Sequence, residues 1–366
     1  MSKFKVIQLL PELNIGGVER GTKDFSKVLV ERGHDSLVIS NGGIFEKDII
    51  EDGGKHINLP IHKKSLFSIR YASDLRDIYL SEKPDIIHVR SRMPAWINYF
   101  AYKKLSHKPL LVSTFHGLYS TPLYSQVMSK VDHIIAISKT VKDYIQDTYK
   151  VPNEKITVIP RGCDPEIFNK NPVEETWIKK WYEEFPQTQD KIILTMPTRI
   201  SKWKGVDSFI DLVNLLDDDN YHALIVGPTA KSKKSYLKQL QNKISNYGIE
   251  DKITITGSRN DISNIYKISD FVFNLSIKPE PFGRTTIEAI SSGSKVIGWN
   301  HGGTKEILEE LYPDGLVELD NIDDLAEKVI NLSNMTNNMP KENIFTSERM
   351  TNQTISLYQD LLAKRL

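Results

Sequence analysis

Short apolar runs of four to seven residues recur along the chain, each closed by a polar or glycine-bearing turn. Longer stretches with apolar positions three and four apart lie between them. Runs of the first kind read as buried strands and stretches of the second as amphipathic helices. Their alternation predicts an α/β protein of parallel sheets covered by helices. One series of strands is expected at residues 4–10, 36–40, 55–59, 86–89, 110–114, 134–137 and 156–159. A second series runs through 192–196, 223–226, 253–256, 271–275 and a strand opening at Lys295. Helices are expected at 18–31, 68–82, 206–216 and 231–247, with a last one at 346–362. Two series imply two doubly wound domains, 1–172 and 173–345, followed by the terminal segment 346–366. A helix carrying Trp177 and Trp181 reads as a brace at their join.

Chemistry gathers at strand tips. The stretch 278–298 reads as a strand tip, a Pro/Gly loop, a helix from about Gly283 and a further strand. A glycine loop opening a helix leaves backbone N–H groups unpaired, with the positive end of the helix dipole behind them, and so makes an anion site. Glu280 and Glu288 bracket it. Eight residues of pure helix would span about 12 Å, and a loop shortens this. A nucleotide diphosphate sugar has that layout, with hydroxyl-rich rings at both ends for the carboxylates and phosphates between for the N–H groups.

The loop 198–205 feeds another helix start and carries Arg199 and Lys204, two cations that would oppose the dipole unless an anion joined them. Fixed cations also stabilise the charge left by a departing diphosphate. In the first series, Gly16 and Gly17 form a tight turn before a helix, and Arg90 and Arg92 lie just past a strand's C-terminal end, where open α/β sheets place ligands. Those arginines suit a phosphate or carboxylate, or simply solvent. His116, at a strand end in Thr114-Phe-His-Gly117, reads either as a ligand contact or as a loop cap. Asp261 is expected to cap the helix after Gly257-Ser258-Arg259-Asn260.

Glu280-Pro-Phe-Gly with Glu288 resembles the retaining glycosyltransferases of family 4, the large GT-B group, whose signature is Glu, seven residues, Glu, with Phe-Gly after the first. Arg199 and Lys204-Gly205 fit the Arg, four residues, Lys-Gly of the same family. The resemblance implies two Rossmann-like domains facing across a cleft, with a last helix crossing back to the first. It assigns His116, Arg199, Lys204 and Glu280 to catalysis. It assigns Gly16, Gly17, Ser258, Arg259, Phe282, Gly283, Arg284, Thr285 and Glu288 to the donor, with Glu288 on the ribose and Ser258 and Arg259 near the base. Arg90, Arg92 and Arg161 fall to the acceptor side, Arg161 standing where relatives carry Asn. His301-Gly302-Gly303 would support the donor pocket. The partners implied are a nucleotide-sugar donor and a glycan, lipid-linked or other hydroxyl acceptor. Arg90-Ser-Arg-Met-Pro-Ala-Trp96 with Glu280-Pro-Phe-Gly-Arg284 looks most like bacterial lipopolysaccharide-type transferases.

Composition narrows the setting. At 366 residues and 39% hydrophobic content, two domains can each build a full core. The single cysteine, Cys163, has no disulfide partner in the chain and fits a reducing compartment. The first residues read as strand rather than signal peptide, and no apolar run approaches the roughly 18 residues of a membrane span. A cytoplasmic protein is expected, with contact at the inner face of a membrane left open. Net charge is +1, but residues 1–170 carry about six excess positive charges and the remainder about five excess negative ones. That asymmetry is too weak for nucleic acid and suits an anionic lipid surface or a phosphorylated acceptor. No Cys/His zinc spacing, Gly-x-Ser-x-Gly elbow or Walker loop occurs. Asp217-Asp218-Asp219 matches an Asp-x-Asp metal pair only formally, since it lies in a helix-to-strand turn. No metal and no cofactor are expected. Two other readings stay open: a sugar-nucleotide epimerase of the same architecture, and a nucleotide-sugar binding protein without turnover.

Overall fold

A computed structural model describes residues 3–14, 16–335 and 338–365; Ile15, inside the first glycine turn, lies outside them. The chain forms two compact units, one of Met1–Pro160 with Met350–Leu366 and one of Arg161–Arg349.

The first unit holds β1 (Lys5–Leu9), β2 (Asp35–Ser40), β3 (Lys55–Asn58), β4 (Ile86–Val89), β5 (Leu110–Phe115), β6 (His133–Ala136) and β7 (Ile156–Val158). They pair in parallel in the order β3-β2-β1-β4-β5-β6-β7. The order reverses between β1 and β4, and at such a switch point the following helices leave toward opposite faces and open a crevice at the strands' C-terminal ends. Val6, Ile86, Leu110 and Val112 form one face of the sheet's core with Phe25 and Leu29 of the helix Gly17–Glu31. Ile355 and Tyr358 from the last helix, Ser347–Ala363, complete that cluster. Each such side chain removed from water contributes about 1.5–3 kcal/mol, which ties the chain's end to the first unit.

The second unit repeats the plan with β8 (Ile192–Pro197), β9 (Tyr221–Val226), β10 (Ile253–Gly257), β11 (Phe271–Asn274), β12 (Lys295–Trp299) and β13 (Leu316–Val317). Their parallel order is β10-β9-β8-β11-β12-β13, so the switch point falls between β8 and β11. The helix Glu175–Glu184 packs into this unit, with Trp181 buried against Ile193, Leu224 and Ile265 and stacked on Trp177 at 5.2 Å.

Three details differ from the sequence expectation. Residues 161–172, assigned to the end of the first domain, group with the second unit. Backbone bonds explain it: Cys163 N–H donates to Phe345 O at 3.0 Å and Ser347 N–H to Cys163 O at 2.9 Å. Residues 92–102, to which the sequence pattern assigned no element, form the helix Arg92–Tyr102 with Pro94 in its first turn. Proline in a first turn removes only an N–H that has no helical partner anyway. Asp261 stands at a helix start but does not cap it, because its carboxylate accepts from Arg259 and from Trp177 Nε1 instead.

Candidate active site

The loops after β8 and β11, neighbours at the second switch point, bring together residues 76 positions apart. Gly205 makes the approach possible. Its φ is +78°, and a Cβ there would stand 1.8 Å from Leu275 O, so only glycine fits. Ile277 N–H then donates to Trp203 O at 2.8 Å. This register sets Lys204 Nζ against Glu280 Oε1 as an ion pair, with Lys204 Nζ 4.2 Å from the Trp203 ring centroid. Ser276 Oγ donates to the same carboxylate oxygen at 2.6 Å. Lys204 and Glu280 expose only 18% and 12% of their side chains, so the pair is held in place rather than fluctuating in solvent.

The next helix start is locked to the same carboxylate loop. Gly303 N–H donates to Glu280 O at 2.7 Å, and a Cβ on Gly302 would meet Glu280 N at 2.8 Å. His301 Nε2 lies 2.6 Å from Ser276 O. Gly283, at φ +98°, opens the helix Arg284–Ser291. Thr286 N–H already bonds Gly283 O, whereas the N–H groups of Arg284 and Thr285 come before the first helical bond and have no partner within the helix. Glu288 is buried, and Arg284 donates to its Oε1 from Nε at 2.9 Å and Nη2 at 2.7 Å.

Other predicted donor residues are placed differently. Arg199 is exposed, and its side chain makes no hydrogen bond or ion pair among the described residues. Arg259, expected near the base, is a clamp. It donates to both oxygens of Asp261, and its Nη1 bonds Glu184 at 2.8 and 3.0 Å. With its donors engaged inside the unit, it has no free fork for a ligand, whereas Ser258 beside it is exposed. Phe282 is buried with its ring 5.8 Å from that of Phe345, a packing contact. Asp217 and Asp219 stay exposed and share Lys252 at 3.3 and 3.1 Å. No group of three metal-ligating side chains occurs among the described residues. Ser276 and Trp203 belong to this site although the sequence reading did not single them out. Ser276, four residues before Glu280 at a strand tip, carried the stronger signal.

In the first unit, Gly16 and Gly17 stand at the start of the helix Gly17–Glu31, and Arg90 follows β4 with its N–H on Leu9 O at 2.9 Å. Arg90 is 6% exposed, lies 5.5 Å from the Phe25 ring centroid, and its Nε has no hydrogen-bond partner. No carboxylate pairs with it among the described residues. Burial lowers its pKa to about 10, so it stays cationic at neutral pH. Below it lies a buried polar layer: His88 bonds Thr114 Oγ1 at 2.7 Å and Tyr358 Oη at 2.6 Å. Gln8 Oε1 is buried without a partner. Arg92 donates to Thr121 Oγ1 at 3.0 Å and stacks over Tyr119 and Tyr124. His116 follows β5 and is half-buried, its backbone N–H on the Tyr119 hydroxyl at 3.4 Å. Arg161, placed on the acceptor side with these arginines, belongs to the second unit.

Comparison with known proteins covers both units. Residues 15–167 match the family described as Glycosyltransferase Family 4, and residues 178–347 that described as Glycosyl transferases group 1. A glycosyltransferase from Rickettsia africae ESF-5 of known structure is 30% identical, with a TM-score of 0.85 over 99% of each chain. The N-acetyl-alpha-D-glucosaminyl L-malate synthase of Bacillus anthracis is 24% identical over 95% of both chains. Anabaena Alr3699/HepE, solved with UDP and glucose, shares the fold at 20% identity, with a TM-score of 0.78 over 98% of this chain and all of that one.

Proposed function

We propose a reaction from one premise: the chain belongs to the group 1 glycosyltransferases, with a family 4 glycosyltransferase as its first half. The reaction moves a sugar from a nucleotide diphosphate sugar to a hydroxyl acceptor, with retention at the anomeric carbon and without a metal. The observation that carries this reading is the caged Lys204–Glu280–Ser276 group beside the Gly283 helix start. A diphosphate at that helix start would meet the unpaired N–H groups of Arg284 and Thr285 and draw on Lys204, while exposed Arg199 is free to close on it. Glu280, relieved of part of its partner, would then accept from sugar hydroxyls. Glu288, oriented by Arg284, is the candidate for the ribose. The bond from the anomeric carbon to the phosphate oxygen breaks as the bond to the acceptor oxygen forms. The acceptor's proton leaves on the released diphosphate, so no protein nucleophile is needed.

Relatives carry names for different reactions: an N-acetyl-alpha-D-glucosaminyl L-malate synthase in Bacillus anthracis and a UDP-Gal:alpha-D-GlcNAc-diphosphoundecaprenol alpha-1,3-galactosyltransferase in Escherichia coli. For this chain a glycan or lipid-linked acceptor of cell-surface polysaccharide or lipopolysaccharide synthesis is the reading carried over from the 90–96 stretch. The test is a panel of uridine, guanosine and adenosine diphosphate sugars, read by thermal shift and then by slow donor hydrolysis. Lys204→Ala should lower turnover of the stabilising donor about a hundredfold, the usual worth of a charge placed at a leaving group, with the fold kept and the unfolding midpoint lowered because Glu280 loses its partner. Near-normal turnover in that variant removes Lys204 from the chemistry. Epimerised nucleotide sugar formed without any acceptor would replace transfer with the epimerase reading, and stabilisation without turnover would leave a binding protein.

A further inference from the structure

The first unit carries an apolar surface that the proposed donor site does not use. A groove of about 370 Å³ opens where residues 64–69 pack against the helix Arg92–Tyr102. Ile69, Met93, Trp96, Phe100 and Tyr124 line it. Its floor is stiff, because Trp96 stacks on Phe100 at 6.3 Å and donates from Nε1 to Tyr124 O at 2.9 Å. The segments that wall the groove also carry Phe67, 84% exposed, and Leu123, 88% exposed. No other exposed large apolar side chain among the described residues passes 58%. Such exposure disfavours the unit alone in water and marks a surface that is covered in use.

Charge narrows what covers it. Acidic residues number 47 in the 366-residue chain, yet none falls in 53–73 or in 86–131, the two stretches that build the groove. Lys63, Lys64, Lys103, Lys104, Lys108 and Lys130 lie in them, all exposed, and none forms an ion pair among the described residues. Lys103 and Lys130 stand over the ring of Tyr99, which itself touches Trp96 and Phe100. A second copy of the same face would bring these lysines against each other. A partner must therefore be anionic around its edge and hydrocarbon at its centre. We infer that this face seats on an anionic lipid bilayer, with Phe67 and Leu123 below the headgroups and the lysines among them. No helix among the described residues is long and apolar enough to cross a membrane, so attachment would be by this surface. The groove lies wholly in the first unit, and its occupancy can be measured apart from the transfer reaction.

The experiment is flotation of the full chain with vesicles of phosphatidylcholine alone or mixed with phosphatidylglycerol. Binding is expected to the mixed vesicles only, and to fall as salt rises. Phe67→Ser combined with Leu123→Ser should lower the vesicle-bound fraction about tenfold, and Lys63→Glu with Lys64→Glu at least as much. Both pairs are exposed, so donor hydrolysis and unfolding midpoint should stay at the wild-type values. The bilayer assignment is overturned by failure to float with mixed vesicles at low salt, or by equal flotation with neutral ones. It is also overturned if the Phe67/Leu123 variant floats normally, if soluble glycerol phosphate displaces the protein, or if a lipid-free dimer disappears in the same variant.

Discussion

The two switch points share a strand order and differ in how they are held. At β8/β11 every loop is tied to its neighbour: Trp203 to Ile277, Gly303 to Glu280, Ser276 and Lys204 to the Glu280 carboxylate, and Trp299 Nε1 to Leu275 O at 2.9 Å. Lys204 and Arg284 are paired there with Glu280 and Glu288 before a ligand arrives, while the exposed side chain of Arg199 has no ion pair among the described residues. At β1/β4 the buried groups are left partly unmatched, with Arg90 lacking a carboxylate and Gln8 Oε1 and Arg90 Nε lacking hydrogen-bond partners. One topology thus carries a preorganised grip in one unit and a buried cation without a carboxylate in the other. The lesson concerns energy as well as geometry: a paired site stabilises its unit, whereas an unmatched buried cation weakens it until a ligand supplies the anion.

The glycines at the two loops give the largest expected contrast. Gly205→Ala forces a Cβ into Leu275 O at a position with φ +78°, where neither backbone can move without breaking the loop register. A loss of about 3 kcal/mol or more is expected, together with loss of donor binding. Gly16 is extended at φ 177°, and a Cβ there meets only the end of the Glu19 side chain. Gly16→Ala should therefore cost less than about 1 kcal/mol. Denaturant unfolding of both variants measures the difference. Equal losses would mean that the first loop is held as tightly as the second.

Much of this contrast could not be read from the sequence. Strand and helix alternation was legible because buried parallel strands are short apolar runs, and β4 and the helix Val206–Leu216 fall at the residues expected for them. Strand tips carrying Arg199, Lys204, Glu280 and the Gly283 helix start were legible for the same reason, since loops follow strands. The pairing of Lys204 with Glu280 was not, because it depends on which strands are neighbours and in what register. The clamp at Arg259 was hidden for a related reason. Its second partner, Glu184, comes from a helix 75 residues earlier, and no local pattern distinguishes a clamped arginine from a ligand contact. β13 is two residues long and gives no period to detect.

Arg90 tests whether an unmatched cation is a cost borne for function. Arg90→Met keeps the volume over Phe25 and removes the buried charge, so stability should rise by about 1–3 kcal/mol. Acceptor kcat/KM should meanwhile fall at least about tenfold, near 1.4 kcal/mol of lost transition-state binding, with donor hydrolysis unchanged. Arg90→Lys should not restore transfer, because a point charge lacks the planar fork. A variant that is less stable and transfers normally would make Arg90 a structural residue and erase the distinction between the two switch points.

The smallest effect is a slope. Burial pushes the pKa of His88 well below its ordinary value, with the Arg90 charge adding to the shift, and burial takes His222 in the second unit to about 4. Both histidines are neutral in the folded chain near pH 6, whereas their unfolded counterparts take up protons below about 6.5. Folding therefore releases protons in that window. Stability is full above pH 6.5 and falls as pH drops toward the folded values, by up to about 1.4 kcal/mol per pH unit for each histidine. His222→Gln, which can keep a bond to Thr254 Oγ1, should remove its share of the slope between pH 6.5 and 4. His88→Gln should do the same in the first unit. Arg90→Met should only lessen the contribution of His88, because burial is the larger cause and the neighbouring charge the smaller. If Arg90→Met left the acid slope unchanged while His88→Gln flattened it, the Arg90 charge would be too well screened to count as buried and unpaired. The contrast between the two sites would then rest on hydrogen bonding alone.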